Sequence, residues 1–593
     1  MSSVPSGLRP LSESPENRPN AATWSRRSFL SASAAVAAIA GASLSGCGNA
    51  GRRPNIVLVM TDDQGWGDLS AGGNTILSTP HIDRVAEEGM RFENFHVCPV
   101  CAPTRASLMT GRYNYRTGVV DTYKGRAMMH ADETTVAELL RDGGYQTGIF
   151  GKWHLGDNFP LRAMDQGFQT SLLHAGGGIG QPSDPPNNRY SNPMLMENGV
   201  WKSFDGYCTD IFTDAAMGFM EQHRAEPFFV YLATNAPHTP LEVPEEWVTP
   251  FRNTGLIDAE AKLYAMVKNI DDNVGRLLAK ISQLSLDKDT IVLFLTDNGA
   301  GGPKRYNSGM RGTKGTVYEG GIRVPLFVRW PGHIREGSVC ERLAAHIDIL
   351  PTVCEYAGVG LPRSLRIDGK SLVPLLEGHT GGWADRTMFS QWHRGDQPIP
   401  RESAAVLTER YKLVLQRDLP GGRELFDLVK DPGETTNLAD EVPHIANDLT
   451  RRYDQWFAAV SATRGYAPPR IYVGAPEENP VTLTRQDWRG PRAGWTEESG
   501  PVGHWEVDVR RGGRLARVRL RGLPVDTPRI AHFRLNAAEA TMPLAAGVSE
   551  CEFTGVAIPE GEGMAEAWFE SIPDDSGSAP SDGVWYLDLE LLS

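Results

Sequence analysis

Cysteine is scarce in this chain. Seven cysteines among 593 residues are too few for a disulfide-built scaffold, and no two close pairs stand at the spacing of a zinc site. One bridge, Cys340 with Cys354, stays open on spacing alone. Basic residues are also in deficit: 59 Lys and Arg face 73 Asp and Glu, a formal net charge of −14. A general nucleic-acid binder needs a basic face, so that class is excluded. A few local cations can still govern one pocket for a small anion. The alanine-rich apolar run 30–44 falls short of the about 20 residues that a membrane-spanning helix needs. No repeat of fixed period is present.

What is present begins with an address. Ser25-Arg26-Arg27-Ser28-Phe29-Leu30 leads into the run 30–44. A charged start and a short apolar centre describe an export signal, and the paired arginines point to the twin-arginine route. Leu44-Ser45-Gly46-Cys47 resembles a bacterial lipobox. Residues 1–46 are then expected to be the signal, with lipid on Cys47 holding a periplasmic or cell-surface protein to a membrane. A plain signal peptide with a chance cysteine is the alternative.

Hydrophobic residues make up 40% of the chain, enough for a large core. Residues 55–60 (NIVLVM), 145–150, 228–233 (FFVYLA) and 290–295 (TIVLFL) are apolar runs expected of strands covered on both faces. Helical periodicity occupies 81–89, 134–142 and 259–283. The alternation predicts an α/β fold, a large, mostly parallel sheet covered by helices on both faces, within a catalytic region of 54–463. Residues 407–415 and 424–428 predict a smaller antiparallel subdomain over about 385–463. Residues 464–482 read as a linker and 483–593 as an appended β-sandwich. There, 503–521 (GHWEVDVRRGGRLARVRLR) is expected to form a hairpin about its Gly-Gly turn. Trp488, Trp495 and Trp505 offer either a sugar platform or core packing.

Reactive residues stand just past the ends of the four predicted strands. Asp62 and Asp63 follow the first, Lys152 and His154 the second, His238 the third, Asp297 and Asn298 the fourth. The ligand crevice of an open parallel sheet lies outside the carboxyl ends of its strands, so these sequence-distant residues are expected to converge. Any one alone is better explained by a cap, a turn or a solvated surface; their joint placement is not. In 101–112 (CAPTRASLMTGR), Pro103 suits the first position of a helix and Gly111 its end. Cys101 then precedes a helix N-terminus, where free N–H groups favour anions, with Arg105 expected on the same side. A reactive group beside an anion site and a guanidinium suits sulfate or phosphate. Lys152 and His154, two apart, would point the same way from an extended backbone.

The Cys101-x-Pro103-x-Arg105 core and its tail Leu108-x-Thr110-Gly111-Arg112 resemble the signature of the formylglycine-dependent sulfatases (arylsulfatases) of the alkaline phosphatase superfamily. Residues 61–68 (TDDQGWGD), 151–156 (GKWHLG), 296–299 (TDNG), 311–315 (RGTKG), 319–325 (EGGIRVP) and 431–438 (DPGETTNL) match as well. The resemblance covers about 54–463 and not the C-terminal region. It implies hydrolysis of sulfate monoesters, on sulfated carbohydrate. Cys101 would be oxidised to formylglycine by a formylglycine-generating enzyme. Calcium would be bound by Asp62, Asp63, Asp297, Asn298 and the modified Cys101. Carboxylates and an amide are hard oxygen ligands, which suit calcium better than zinc. The same carry-over surrounds the sulfate with Arg105, Lys152, His154, His238 and Lys314: Arg105 and Lys152 against developing charge, Lys314 or His238 as acid, His154 as base. Residues 174–198, rich in Gly, Pro and Asn, are expected to shape the pocket. Two other readings stay open: a phosphate or phosphonate ester hydrolase of the same superfamily, and a non-catalytic polysaccharide-binding lipoprotein.

Overall fold

The computed structural model describes residues 52–495, 502–572 and 581–592; the expected export signal and the expected lipid site Cys47 lie outside them. In the strand Asn55–Thr61 every residue is buried. Ile56, Leu58 and Met60 enter one apolar cluster, Val57 and Val59 another, because a strand sends successive side chains to opposite faces. Such a run needs cover on both sides. Cys101–Thr110, Val136–Asp142 and Ile349–Tyr356 supply it on one face, and Pro80–Glu87, Cys208–Gln222 and Asp258–Gln283 on the other. The Val136 helix starts behind Thr135, whose hydroxyl accepts the Glu138 N–H while the Glu138 carboxylate accepts the Thr135 N–H, a reciprocal cap.

The sheet has ten strands. Thr290–Thr296, Asn55–Thr61, Phe228–Ala233, Gln146–Lys152 and Thr170–His174 run parallel in that order. Leu326–Arg329 and Met194–Glu197 flank them antiparallel. The expected α/β architecture is present, parallel at its centre and mixed toward its edges. A four-stranded antiparallel sheet, Met388–Gln391, Ala404–Leu407, Tyr411–Leu415 and Arg423–Asp427, follows, and shares a core with helix Pro443–Ser461.

The C-terminal region is a sandwich of a six-stranded and a five-stranded sheet. Two expectations change there. Residues 464–482 supply two of its strands, Ile471–Val473 and Val481–Thr484. Ile471, Val473, Val481 and Leu483 all enter its core, a signal that Gly474, Pro476 and Pro480 obscure. The expected hairpin does not form. His504–Val509 pairs with Gly561–Ser571, whereas Gly513–Arg521 pairs with Tyr586–Leu591 in the opposite sheet. Alternation fixes which face of a strand is buried, not which strand lies beside it. Trp488 and Trp505 are fully buried and belong to the core, while Trp495 packs edge-on against Tyr123 of the catalytic region. Cys340 and Cys354 are both free and buried, so that bridge is absent.

Candidate active site

Four neighbouring parallel strands end side by side, and the reactive residues follow them. Asp62 and Asp63 come after Asn55–Thr61, and Asp297 and Asn298 after Thr290–Thr296. Lys152 ends Gln146–Lys152, and His238 lies in the turn after Phe228–Ala233. Close packing enforces this convergence. A Cβ on Gly151 would lie 1.8 Å from the Ala233 carbonyl oxygen, so only glycine lets these strands meet at that point. Cys101 is the first residue of its helix and Pro103 the third, with Val100 as the extended cap and Gly111 closing it at φ 66°. The cysteine therefore sits within the first turn, two residues further in than expected. Its sulfur and carboxylate oxygens of Asp62 and Asp297 lie within 4.8 Å of one another. Carboxylate oxygens of Asp62 and Asp63 form a second such group with a His238 nitrogen.

Three cations face these three carboxylates. Lys152 Nζ lies 2.5 Å from Asp62 Oδ2, Lys314 Nζ 2.5 Å from Asp63 Oδ1, and Arg105 Nη2 2.7 Å from Asp297 Oδ2. Arg105 also donates through Nη1 to the Lys152 carbonyl at 2.9 Å, so here it clamps the carboxylate floor. Burial alone would raise Asp63, but Lys314, His238 and the Asn298 amide hold it well below the usual carboxylate range. Asp297 is pushed up to about 6 by burial and by Asp62, against Arg105 and Lys152. Asp62 Oδ1 and Asn298 Oδ1 are buried and lack a hydrogen-bond partner among the described residues. Buried oxygens without donors beside three carboxylates fit a hard cation. A Cβ on Gly301 would lie 2.4 Å from Asp63 Oδ2, so the turn carrying Gly301 leaves no room for a side chain beside that carboxylate.

The histidines are neutral near pH 7. Burial, aided by Lys152, holds His154 well below its ordinary value, and burial takes His238 down to about 4 despite Asp63 beside it. His154 has φ 61°, so the extended geometry expected between it and Lys152 stops short. Its Nε2 donates to the Thr122 carbonyl at 2.8 Å. A carbonyl only accepts, which leaves the lone pair on Nδ1, a buried atom without a partner among the described residues. Burial also raises the Cys101 thiol, with Asp62 and Asp297 adding to the effect and Lys152 and Lys314 opposing it. The thiolate is the nucleophilic form of cysteine, so an unaltered Cys101 is poorly suited to attack. The loop after Thr170–His174 closes over both histidines: a Cβ on Gly177 would lie 2.8 Å from His154 Nε2, and one on Gly178 3.2 Å from His238 Cε1.

The family profile described as Sulfatase matches residues 54–359. The chain belongs to the sulfatase family. As such it is a sulfuric ester hydrolase. A second profile, N-sulphoglucosamine sulphohydrolase C-terminal, matches residues 312–457 of this sulfatase. It is 34% identical over 493 residues to the N-acetylgalactosamine-6-sulfatase of Mus musculus, covering 74% of this chain and 90% of the relative. It is 32% identical over 482 residues to arylsulfatase A of Homo sapiens, covering 71% and 91%. Among solved structures, Ps i-CgsB in complex with k-i-k-neocarrahexaose is similar at TM-score 0.64 and 27% identity, over 70% of this chain and 95% of that one.

Both profiles end before the sandwich of this sulfatase, yet the sandwich reaches the site. Gln486 Nε2 donates to the Thr122 carbonyl at 2.9 Å, and Glu478 accepts the Phe159 N–H at 2.7 Å. Tyr586 donates to the Asp184 carbonyl at 2.6 Å. Sequence reasoning missed Thr122 and Gln486, and also Arg305, which donates to the Asp63 carbonyl at 3.1 Å and pairs with buried Asp68. Arg305 lies inside a Gly-Pro loop, between two matched motifs. Gln486 lies in a region assigned to another domain. No spacing pattern marked either.

Proposed function

We propose that this sulfatase cleaves sulfate monoesters on a saccharide. The proposal has Cys101 converted to formylglycine and calcium held by Asp62, Asp63, Asp297, Asn298 and the modified Cys101. One observation carries the reading: a buried, protonated cysteine in a helix first turn, against a carboxylate and an amide that each keep a buried oxygen without a partner among the described residues. The named relative acts on a sulfated amino sugar and the structural neighbour was solved with a carrageenan-type oligosaccharide, which supports a sugar substrate.

Bound there, calcium supplies positive charge against oxygens on which charge develops. Formylglycine, when hydrated, supplies hydroxyls on one carbon. The chain's own residues do the rest. Lys152 and Arg105 hold Asp62 and Asp297 in place. His154 offers an unprotonated Nδ1 as base. Burial alone would lower Lys314, but Asp63 raises it, so it carries a proton for the leaving oxygen, whereas neutral His238 is the weaker donor. First-turn N–H groups and Lys152 lie where sulfate oxygens would gather.

The test is peptide mass spectrometry across Cys101 on protein made with a formylglycine-generating system, paired with turnover of aryl sulfate and aryl phosphate. The expected result is an aldehyde at position 101, preference for sulfate, and no turnover by Cys101→Ala. Active protein with an unmodified thiol would overturn the nucleophile. Preference for phosphate would overturn the substrate class.

A further inference from the structure

The Thr122 carbonyl oxygen receives two buried donors. One is His154 Nε2 at 2.8 Å, the other Gln486 Nε2 at 2.9 Å. A carbonyl oxygen has two lone pairs, so the pair fills it. Because that carbonyl can only accept, the orientation of the Gln486 amide is fixed as well. Gln486 is held to the same loop a second time, its backbone carbonyl accepting the Gly125 N–H at 3.2 Å. Gly125 has φ 69°, and a Cβ there would lie 3.0 Å from the Asp487 carbonyl oxygen. On the other side, a Cβ on Gly176 would lie 3.8 Å from Gln486 Cδ, and the next residue, Gly177, closes on the His154 ring.

We propose that Gln486, carried by the appended sandwich, is a positioning residue for His154. By fixing the Thr122 peptide it sets the direction of the one hydrogen bond that orients the imidazole and keeps its Nδ1 free to take a proton. The sandwich is then part of the catalytic apparatus and not a detachable sugar-binding module. This inference rests on the role of His154 given above.

Gln486→Met keeps length and volume but removes the donor. Gln486→Asn keeps an amide that stops one carbon short. With an aryl sulfate as substrate, both are expected to lower kcat about 10- to 100-fold, the scale for a misdirected catalytic group, with KM within about twofold and melting temperature near wild type. The decisive measurement is a double-mutant cycle with His154→Ala. If Gln486 acts through His154, adding Gln486→Met to His154→Ala removes no further activity. A folded Gln486→Met and Gln486→Asn with wild-type kcat would overturn the proposal. So would a loss in the double mutant as large as in the single one, which marks a purely structural role. Should His154→Ala keep wild-type turnover, the role of His154 itself fails, and the positioning proposal with it. An inactive His154→Ala beside fully active Gln486 variants sinks the positioning proposal alone.

Discussion

At the scale of single residues, a buried histidine ties stability to pH on the acid side. His346 donates from Nδ1 to the His96 carbonyl at 3.1 Å, and its Nε2 lies 3.4 Å from Cys98 Sγ. Burial lowers it from 6.5 to about 4. The unfolded chain takes up this proton below pH 6.5 and the folded one only near pH 4. The contribution of His346 is therefore complete above pH 6.5 and lost as pH falls to 4, about 3 kcal/mol in all. His346→Asn keeps a donor for the His96 carbonyl and cannot titrate. It is expected to show a smaller fall in melting temperature between those limits, and a fall equal to wild type would clear His346. Residues of this kind were illegible beforehand, since a lone histidine carries no spacing. Cys101, Asp62, Asp63, Asp297 and Asn298 were legible because each follows a strand or opens a helix whose pattern is strong.

Among elements, the small antiparallel sheet is joined to the short helix Glu319–Ile322 through a fully buried lysine. Lys412 Nζ lies 2.9 Å from Glu319 and 2.8 Å from Glu434, and Glu434 also accepts the Glu319 N–H at 2.7 Å. Removing one partner of a buried ionic group strands the others. Lys412→Met should cost about 3–5 kcal/mol, read as a lower thermal midpoint, while Lys412→Arg should recover part of it. An unchanged midpoint would mean that the two carboxylates take up protons without penalty. The motifs at 319–325 and 431–438 announced these glutamates as sequence without saying what they bind. Elements were readable wherever both faces are covered, as in Asn55–Thr61. They misled in the sandwich, where the alternation of His504–Val509 and Gly513–Arg521 is the same whether they pair together or face each other across a core.

For the molecule as a whole, the proposed calcium couples the site to the stability of the entire sheet, because its ligands follow two adjacent central strands. Calcium at about 100 times its Kd should add about 2.7 kcal/mol, seen as a rise in melting temperature on adding calcium and a fall with chelator. Asp63→Asn should blunt both. A midpoint indifferent to calcium would remove the ion from the account, whatever the activity. The α/β core was readable as a whole from its alternating pattern. The dependence of the site on the sandwich was not, since Thr122 and Gln486 meet through backbone and amide atoms that leave no mark on composition. One more consequence follows from the Cys101 helix, in which all ten residues are buried. The cysteine is 3% exposed once the chain has folded, so the proposed conversion to formylglycine would have only the interval between synthesis and collapse in which to happen. Specific activity then becomes a record of that race. Slower synthesis or more maturing enzyme raises the active share of each batch, treating finished protein leaves it unchanged, and unfolding reopens the interval.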